Sequence, residues 1–304
     1  MRVVYRGDLD GTLCTAILID VGLGDEITQA HPKDMQDGKV DITGEDILCN
    51  LPYHPNCYMW FDHHVTEIEN SNAPTDFKGL VEVAPSAAGL VYRYFLPDHP
   101  ELKKYEQLVT ETDLIDSADL TKDQVVNPKG TYLLGFLLDP RTGLGLSRDF
   151  SISNYQWSLQ LPKLLTQHTV EEILAMPDSQ ERIKRYNEMQ QVAIDFNKAN
   201  SRLEGNVIVT DVRDKQIPPA NRFLIYAIPS LEEGNISVRM ASGKQGEFNT
   251  ISVAYSIFNR TSKVDCGSLC KSYGGGGHRA AATCQPSIED SDRVFAELIA
   301  ACQD

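Results

Sequence analysis

No stretch of this sequence approaches the roughly 18 uninterrupted apolar residues that a membrane span requires, so no membrane partner is expected. The opening residues Met1-Arg2-Val3-Val4-Tyr5-Arg6-Gly7-Asp8 carry no apolar signal core or small-residue cleavage site, and the expected compartment is the cytoplasm. Positive charge is scarce: 28 Lys and Arg stand against 43 Asp and Glu, a net charge of −15. A protein that grips long nucleic acid shows a basic footprint, so this exterior excludes long DNA or RNA. A small anionic ligand, held by a local cationic pocket or a bound metal, remains open. The seven cysteines, Cys14, Cys49, Cys57, Cys266, Cys270, Cys284 and Cys302, include no paired Cys-x-x-Cys. Cys266 and Cys270 lack a matching second pair, so neither a zinc knuckle nor a disulfide scaffold is expected, and the thiols are read as reduced and buried.

What is there is globular: 304 residues, 41% hydrophobic and 23% charged, enough for two cores. Short apolar runs alternate with helical patterns in the first half, implying a parallel sheet. Val3-Val4-Tyr5 reads as a strand ending in Gly7-Asp8-Leu9-Asp10-Gly11, with a helix from Leu13 to Val21. Ile47-Leu48-Cys49 and Tyr58-Met59-Trp60-Phe61 read as further strands, and Ser86 as the N-cap of another helix. From Ser179 to Leu203, apolar residues at Ile183, Tyr186, Met189, Ala193 and Phe196 recur at helical spacing. Beyond Glu204-Gly205-Asn206 come strand-like runs at Val207–Thr210, Phe223–Ile228, Ile236–Ala241 and Ile251–Ile257, then a glycine run and a last helix from Ser287. The fold class is α/β: an N-terminal parallel-sheet domain (1–178), a helical connector (179–204) and a smaller C-terminal α/β domain (205–304).

Ligands of open parallel sheets bind beyond the carboxyl ends of the strands, and three of these strands run into polar residues there: Asp8 and Asp10, Asn50, and Asp62-His63-His64. Asp8 and Asp10, in a loop that is still extended, point the same way and suit a hard divalent ion; the alternative is a polar turn capping the next helix. Asp62-His63-His64 offers a carboxylate and two imidazoles, chemistry suited to Mn²⁺, Fe²⁺ or Zn²⁺, or else an ordinary surface turn. One histidine binds metal while its neighbours orient it or protonate a leaving group. In Thr110–Ser117, Asp113 and Asp116 lie three apart, on one side of a helix, or on a solvated helix start.

The order Asp8-Leu9-Asp10-Gly11, then Asp62-His63-His64, then Asp113 about fifty residues on, then Gly274-Gly275-Gly276-Gly277-His278, resembles the DHH family of phosphoesterases in its branch with a DHH-associated C-terminal domain. The resemblance spans nearly the whole chain. Members include oligoribonucleases, 3′-phosphoadenosine 5′-phosphate phosphatases, cyclic-dinucleotide phosphodiesterases, single-strand exonucleases and exopolyphosphatases. The resemblance implies metal ligation by Asp8, Asp10, His63 and Asp113, with Asp116 in support, and catalysis by Asp62 and His64. It implies substrate binding by Arg239, Gly275, Gly276, Gly277, His278 and the adjoining Arg279. The cofactor expected is a divalent metal, Mn²⁺ foremost with Mg²⁺ or Co²⁺ as alternatives, in one or two ions.

Two departures stand out. Val4 and Arg6 occupy places where many relatives carry His or Asp, and Asn50 stands where a metal-bridging Asp is usual. A neutral amide is a poor bridging ligand, so one metal position is expected to be weakened, with Arg6 standing in as a fixed charge beside a phosphate, unless Asp46 or another nearby acid supplies the lost ligand. The expected reaction is metal-assisted hydrolysis of a short linear nucleotide such as pGpG, or very short RNA, to 5′-mononucleotides, with a cleft between domains limiting length. The alternatives are an exopolyphosphatase or pyrophosphatase, or a degenerate nucleotide-binding regulator. A homodimer is left open.

Overall fold

The computed structural model describes residues 1–64, 68, 73–243 and 246–303. The first apolar run forms β1 (Arg2–Arg6), with Val3, Val4 and Tyr5 fully buried, as expected of a strand covered on both faces. With β2 (Glu26–Ala30), β3 (Asp46–Cys49), β4 (Met59–Asp62) and β5 (Gly79–Val81) it makes a five-stranded sheet in the order β2-β1-β3-β4-β5. Every pair is parallel. The chain steps from β1 to β2 on one side and returns for β3 on the other. The order therefore reverses between β1 and β3, and the crevice beyond their carboxyl ends is where such sheets take ligands.

The helix after β1, Leu9–Asp20, is buried at every residue from Leu9 to Leu18. It is wedged among sheet and helices, so it shows no amphipathic stripe. The sequence places its start at Leu13; the first turn is already helical at Leu9 because Asp8 caps it.

A second sheet has six strands in the order β10-β11-β9-β8-β7-β6: β6 (Ser201–Glu204), β7 (Val207–Asp211), β8 (Ile236–Ser242), β9 (Asn249–Tyr255), β10 (Gly276–His278) and β11 (Ala281–Cys284). Only β7 and β8 are parallel neighbours. Val207, Val209, Val238, Met240, Ile251 and Val253 face a core shared with Cys266, Cys270, Phe295 and Leu298. Strand alternation sends Arg239 and Ser252 to the opposite face.

Three expectations are corrected. The helix expected to reach Leu203 ends at Asn200; Ser201–Glu204 pairs antiparallel with β7, turned by Gly205 at φ 57°, where glycine is free of the left-handed penalty. The run Phe223–Ile228 is not a strand but a 3-10 turn, Leu224–Ala227. Asn221 starts it, its side-chain oxygen accepting from the Phe223 amide at 2.9 Å, and short apolar runs do not by themselves distinguish strand from helix. The last helix begins at Ser291, because Ser287 instead ties a preceding turn by accepting from the Asp290 amide at 3.2 Å.

The chain divides into two compact units, 1–119 with 128–186 and 120–127 with 187–304. The division falls within the helix Pro177–Asn200. The short helix Lys122–Val126 belongs with the second unit: Asn221 donates to Val125 O at 3.3 Å and Lys122 pairs with Glu232 at 2.6 Å. No disulfide joins the cysteines, of which only Cys57 is more than slightly exposed. Among the described residues no helix is long and apolar enough to cross a membrane.

Candidate metal centre

Asp8 follows β1 directly, and its Oδ1 accepts from the Gly11 amide at 3.1 Å. Gly11 is required by space: a Cβ there would lie 2.1 Å from the Arg6 carbonyl oxygen. Asp10 therefore stands in the first turn of a helix, not in an extended loop as the sequence suggested. It is 2% exposed. Its two oxygens accept from the amides of Ala88 at 2.6 Å and Ala87 at 3.0 Å, the opening turn of the helix Ala87–Phe95. A helix N-terminus aimed at a carboxylate is a favourable pairing.

Asp62 ends β4, and the two histidines follow it. His63 Nδ1 lies 2.9 Å from the Ala84 carbonyl oxygen. A carbonyl only accepts, so Nδ1 carries the proton and a neutral ring leaves Nε2 bare as a ligand atom. That Nε2 is buried without a hydrogen bond, 3.2 Å from Asp116 Oδ2 and 3.7 Å from Asp10 Oδ2. His64 turns to Asp62, with Nδ1 2.8 Å from Asp62 Oδ1, while Asp62 Oδ2 is buried without a partner. The two rings are 4.4 Å apart, centre to centre, one facing the acids and the other held by Asp62.

The helix Glu106–Asp116 brings the last carboxylates. Among the described residues, two sets of three donor atoms lie within 4.8 Å of one another: Asp10, His63 and Asp116, and Asp62, His63 and His64. Like Asp8, Asp113, another of the four expected ligands, is in neither set. It accepts from the Ser86 hydroxyl at 2.5 Å, and a Cβ on Gly89 would lie 3.1 Å from its Oδ1, so it buttresses the helix start that binds Asp10. Asp116 takes the place beside His63.

Asp8 is engaged twice more, by Arg6 Nε at 2.9 Å and by Asn50 Nδ2 at 3.1 Å. Asn50 takes φ 56° just after β3, and its Oδ1 is buried without a hydrogen bond. Asp46 does not replace it: that residue opens β3 at the other end of the sheet and pairs with Arg2 at 2.7 Å.

The electrostatics suit the binding of a positive charge. Burial pushes the Asp10 carboxyl well above its usual range, and the charges of Asp116 and Asp8 push it further, against the Ala87 and Ala88 amides. Burial also raises Asp116, as does Asp8, with His63 and Arg6 opposing. Asp113 is raised by burial and eased down by Ser86. Burial would lower His64, but the hydrogen bond and charge of Asp62 leave it raised. Unpaired buried acceptors at Asn50, Asp62 and His63, with carboxylates that resist ionising, suit a cation with oxygen and nitrogen ligands.

In the second unit, the register sets Arg239 between Thr210 of β7 and Ser252 of β9. Burial lowers its pKa, and among the described residues its side chain makes no hydrogen bond or ion pair. Gly276, Gly277 and His278 form β10, all exposed, and Arg279 follows, also exposed. A Cβ on Gly275 would lie 2.2 Å from the Thr283 carbonyl oxygen, so a side chain there would force the loop off the sheet.

Sequence reasoning missed the Ala87 and Ala88 amides and the Ser86–Asp113 link. The signal was present in Ser86-Ala87-Ala88-Gly89, a capped helix start small enough to meet a carboxylate. Sequence reasoning also passed over Arg141, whose guanidinium feels the charges of Asp8 and Asp116 after that of Asp139.

No family model matches the chain, and no curated protein matches it either. Among solved structures it is similar to the pGpG-specific phosphodiesterase PggH from Vibrio cholerae, at 38% identity and a TM-score of 0.82, over 98% of this chain and 97% of that one. It also shares its fold with RecJ from Thermus thermophilus. The Mn²⁺ complex gives a TM-score of 0.57 at 16% identity, over 98% of this chain and 52% of that one. The Mg²⁺ complex gives 0.50 at 15%, over 98% and 49%; the chain thus spans about half of RecJ. With full-length similarity to PggH and the acids and imidazole assembled at one rim of the parallel sheet, the chain belongs to the DHH family of phosphoesterases with a C-terminal domain.

Proposed function

We propose that this enzyme is a metal-dependent phosphodiesterase that hydrolyses pGpG, or a comparably short linear nucleotide, to 5′-mononucleotides. The observation that carries this reading is the 38% identity to a pGpG-specific phosphodiesterase over 98% of the chain. Asp10, His63 and Asp116 hold the cation, with Mn²⁺ the preferred ion. Asp8, already bound by Arg6 and Asn50, is not free to share a second ion as a bridging acid would be, so one ion per chain is the favoured count. A divalent cation, when bound, supplies Lewis acidity toward water and the phosphoryl oxygens.

The chain's own groups do the rest. Asp10 is fixed by two helix amides and His63 by the Ala84 carbonyl, so neither ligand has to be ordered on binding. The reaction joins a water oxygen to phosphorus and breaks the bond from phosphorus to O3′. Asp62 holds Nδ1 of His64, so His64 Nε2 is the atom that delivers a proton to the leaving oxygen. In the second unit, Arg239, the backbone of Gly275, Gly276 and Gly277, His278 and Arg279 are the groups suited to bind nucleotide; glycines let the main chain come close to a phosphate.

Incubation with Mn²⁺ and, separately, pGpG, 3′-phosphoadenosine 5′-phosphate and polyphosphate tests the reading. Conversion of pGpG alone to GMP is expected. Phosphate release from polyphosphate would favour an exopolyphosphatase. Tight pGpG binding without turnover in Mn²⁺, Mg²⁺ and Co²⁺ would favour a regulatory protein, the reading motivated by Asn50.

A further inference from the structure

We propose that Arg141, which lies outside every motif quoted above, is a substrate-binding residue that takes a phosphate oxygen at the edge of the carboxylate cluster. The proposal rests on the phosphodiesterase reading. The helix Gly130–Leu138 packs on the two helices that carry the cluster through Gly135, where a Cβ would lie 3.1 Å from Ile115 Cδ1 and 3.4 Å from Leu9 Cδ2. Ile115 precedes Asp116, and Leu9 sits between Asp8 and Asp10. Just past that contact the helix ends and the chain turns through Asp139-Pro140-Arg141-Thr142.

This turn is built in advance. Asp139 Oδ1 accepts from the Arg141 amide at 2.9 Å and from Arg141 Nε at 2.7 Å. The Thr142 hydroxyl donates to the Asp139 carbonyl at 2.8 Å. Thr142 and Leu144 are buried, and Gly143 takes the left-handed φ of 81° that closes the turn. Asp139 thus holds one edge of the guanidinium. Among the described residues neither terminal nitrogen of Arg141 makes a hydrogen bond, and 46% of the side chain is accessible.

Charge argues the same way. Asp8, Asp10, Asp62, Asp113 and Asp116 together repel a phosphodiester. Arg6 is committed to Asp8 and Arg93 to Glu82. Partial burial works against the charge of Arg141, but Asp139, and then Asp8 and Asp116, keep it fully protonated. A planar guanidinium with one edge clamped offers its remaining N–H groups to a phosphoryl group in a fixed geometry, which a lysine does not.

The test compares wild type, Arg141→Gln and Arg141→Lys in Mn²⁺, on pGpG and on GpG, which lacks the 5′-phosphate, with titrations of Mn²⁺ and of inorganic phosphate alongside. Arg141→Gln should lose about 10- to 100-fold in kcat/KM, Arg141→Lys should keep part of it, and Mn²⁺ affinity should stay within about twofold. Equal loss on both substrates assigns the scissile phosphate; loss confined to pGpG assigns the terminal one. Rates for Arg141→Gln near wild type on both substrates, or equal losses in the two variants together with lost Mn²⁺ binding, would overturn the proposal. If wild type cleaves neither dinucleotide, the phosphodiesterase reading falls on its own. Weaker phosphate binding by Arg141→Gln then still upholds the anion contact, and unchanged phosphate binding removes it.

Discussion

At the scale of single residues, the site turns on which atoms are left with nothing to do. His63 presents a bare, buried Nε2 to two carboxylates, an arrangement of mutually repelling acceptors that a cation relieves. His63→Ala and Asp116→Asn should each lower Mn²⁺-dependent turnover by about 100-fold or more and weaken Mn²⁺ binding, since each removes a ligand. Asp113→Asn should do much less to Mn²⁺ affinity, because Asp113 meets Ser86 instead; calorimetric titration of the three variants checks the ranking. Equal loss of affinity in Asp113→Asn would restore Asp113 as a ligand. The convergence of Asp10 and His63 was legible in the sequence because each follows a strand end, whereas the expected ligand Asp8 is bound by Arg6 and Asn50. The choice between Asp113 and Asp116 was not legible: three residues apart on a helix they look alike, and packing against the helix Ala87–Phe95 separates them.

At the scale of elements, the start of the helix Ala87–Phe95 does two jobs. Ser86 caps it by accepting from the Gly89 amide at 3.0 Å, and the capped turn donates two amides to Asp10. Ser86→Ala should cost about 1 kcal/mol of stability in urea unfolding and also lower Mn²⁺ affinity, whereas a cap remote from the site such as Thr169→Ala should change stability alone. An unchanged Mn²⁺ affinity in Ser86→Ala would detach the helix start from the metal centre. The elements themselves were read best where an apolar run stops at polar residues, as in β1, β3 and β4, or carries an alternating stretch, as in β8. They were read worst where a single side-chain contact sets the boundary: the start of the helix Leu9–Asp20, capped by Asp8, was placed too late, and the Leu224–Ala227 turn, started by Asn221, was read as a strand.

At the scale of the whole molecule, distant chain segments are tied by a few strong contacts whose pH dependence is definite. The Arg2–Asp46 pair joins β1 to β3 at the end of the sheet away from the site. Burial works against the Asp46 carboxylate, but Arg2 and Thr43 outweigh it and hold its pKa below the usual value. A carboxylate with a depressed folded pKa gives stability that is present above its unfolded pKa of about 3.9 and is lost as pH falls through the lower folded value. Asp46→Asn should therefore melt below wild type near neutral pH, with the gap closing below about pH 4; a gap that stays constant into acid would deny the pair its charge.

The parallel sheet, the second unit and the family were all legible from order and spacing. The division of the chain was less so, since Leu120–Asn127 joins the second unit through tertiary contacts that no local pattern announces. The acidic exterior, −15 overall, argues for a short substrate. The most direct measurement is release of GMP, in Mn²⁺, from 5′-phosphorylated guanosine oligoribonucleotides graded from dinucleotide to heptanucleotide. Turnover confined to the dinucleotide, and abolished by His63→Ala, is the expected result; equal rates at every length, or turnover that survives without His63, would contradict it.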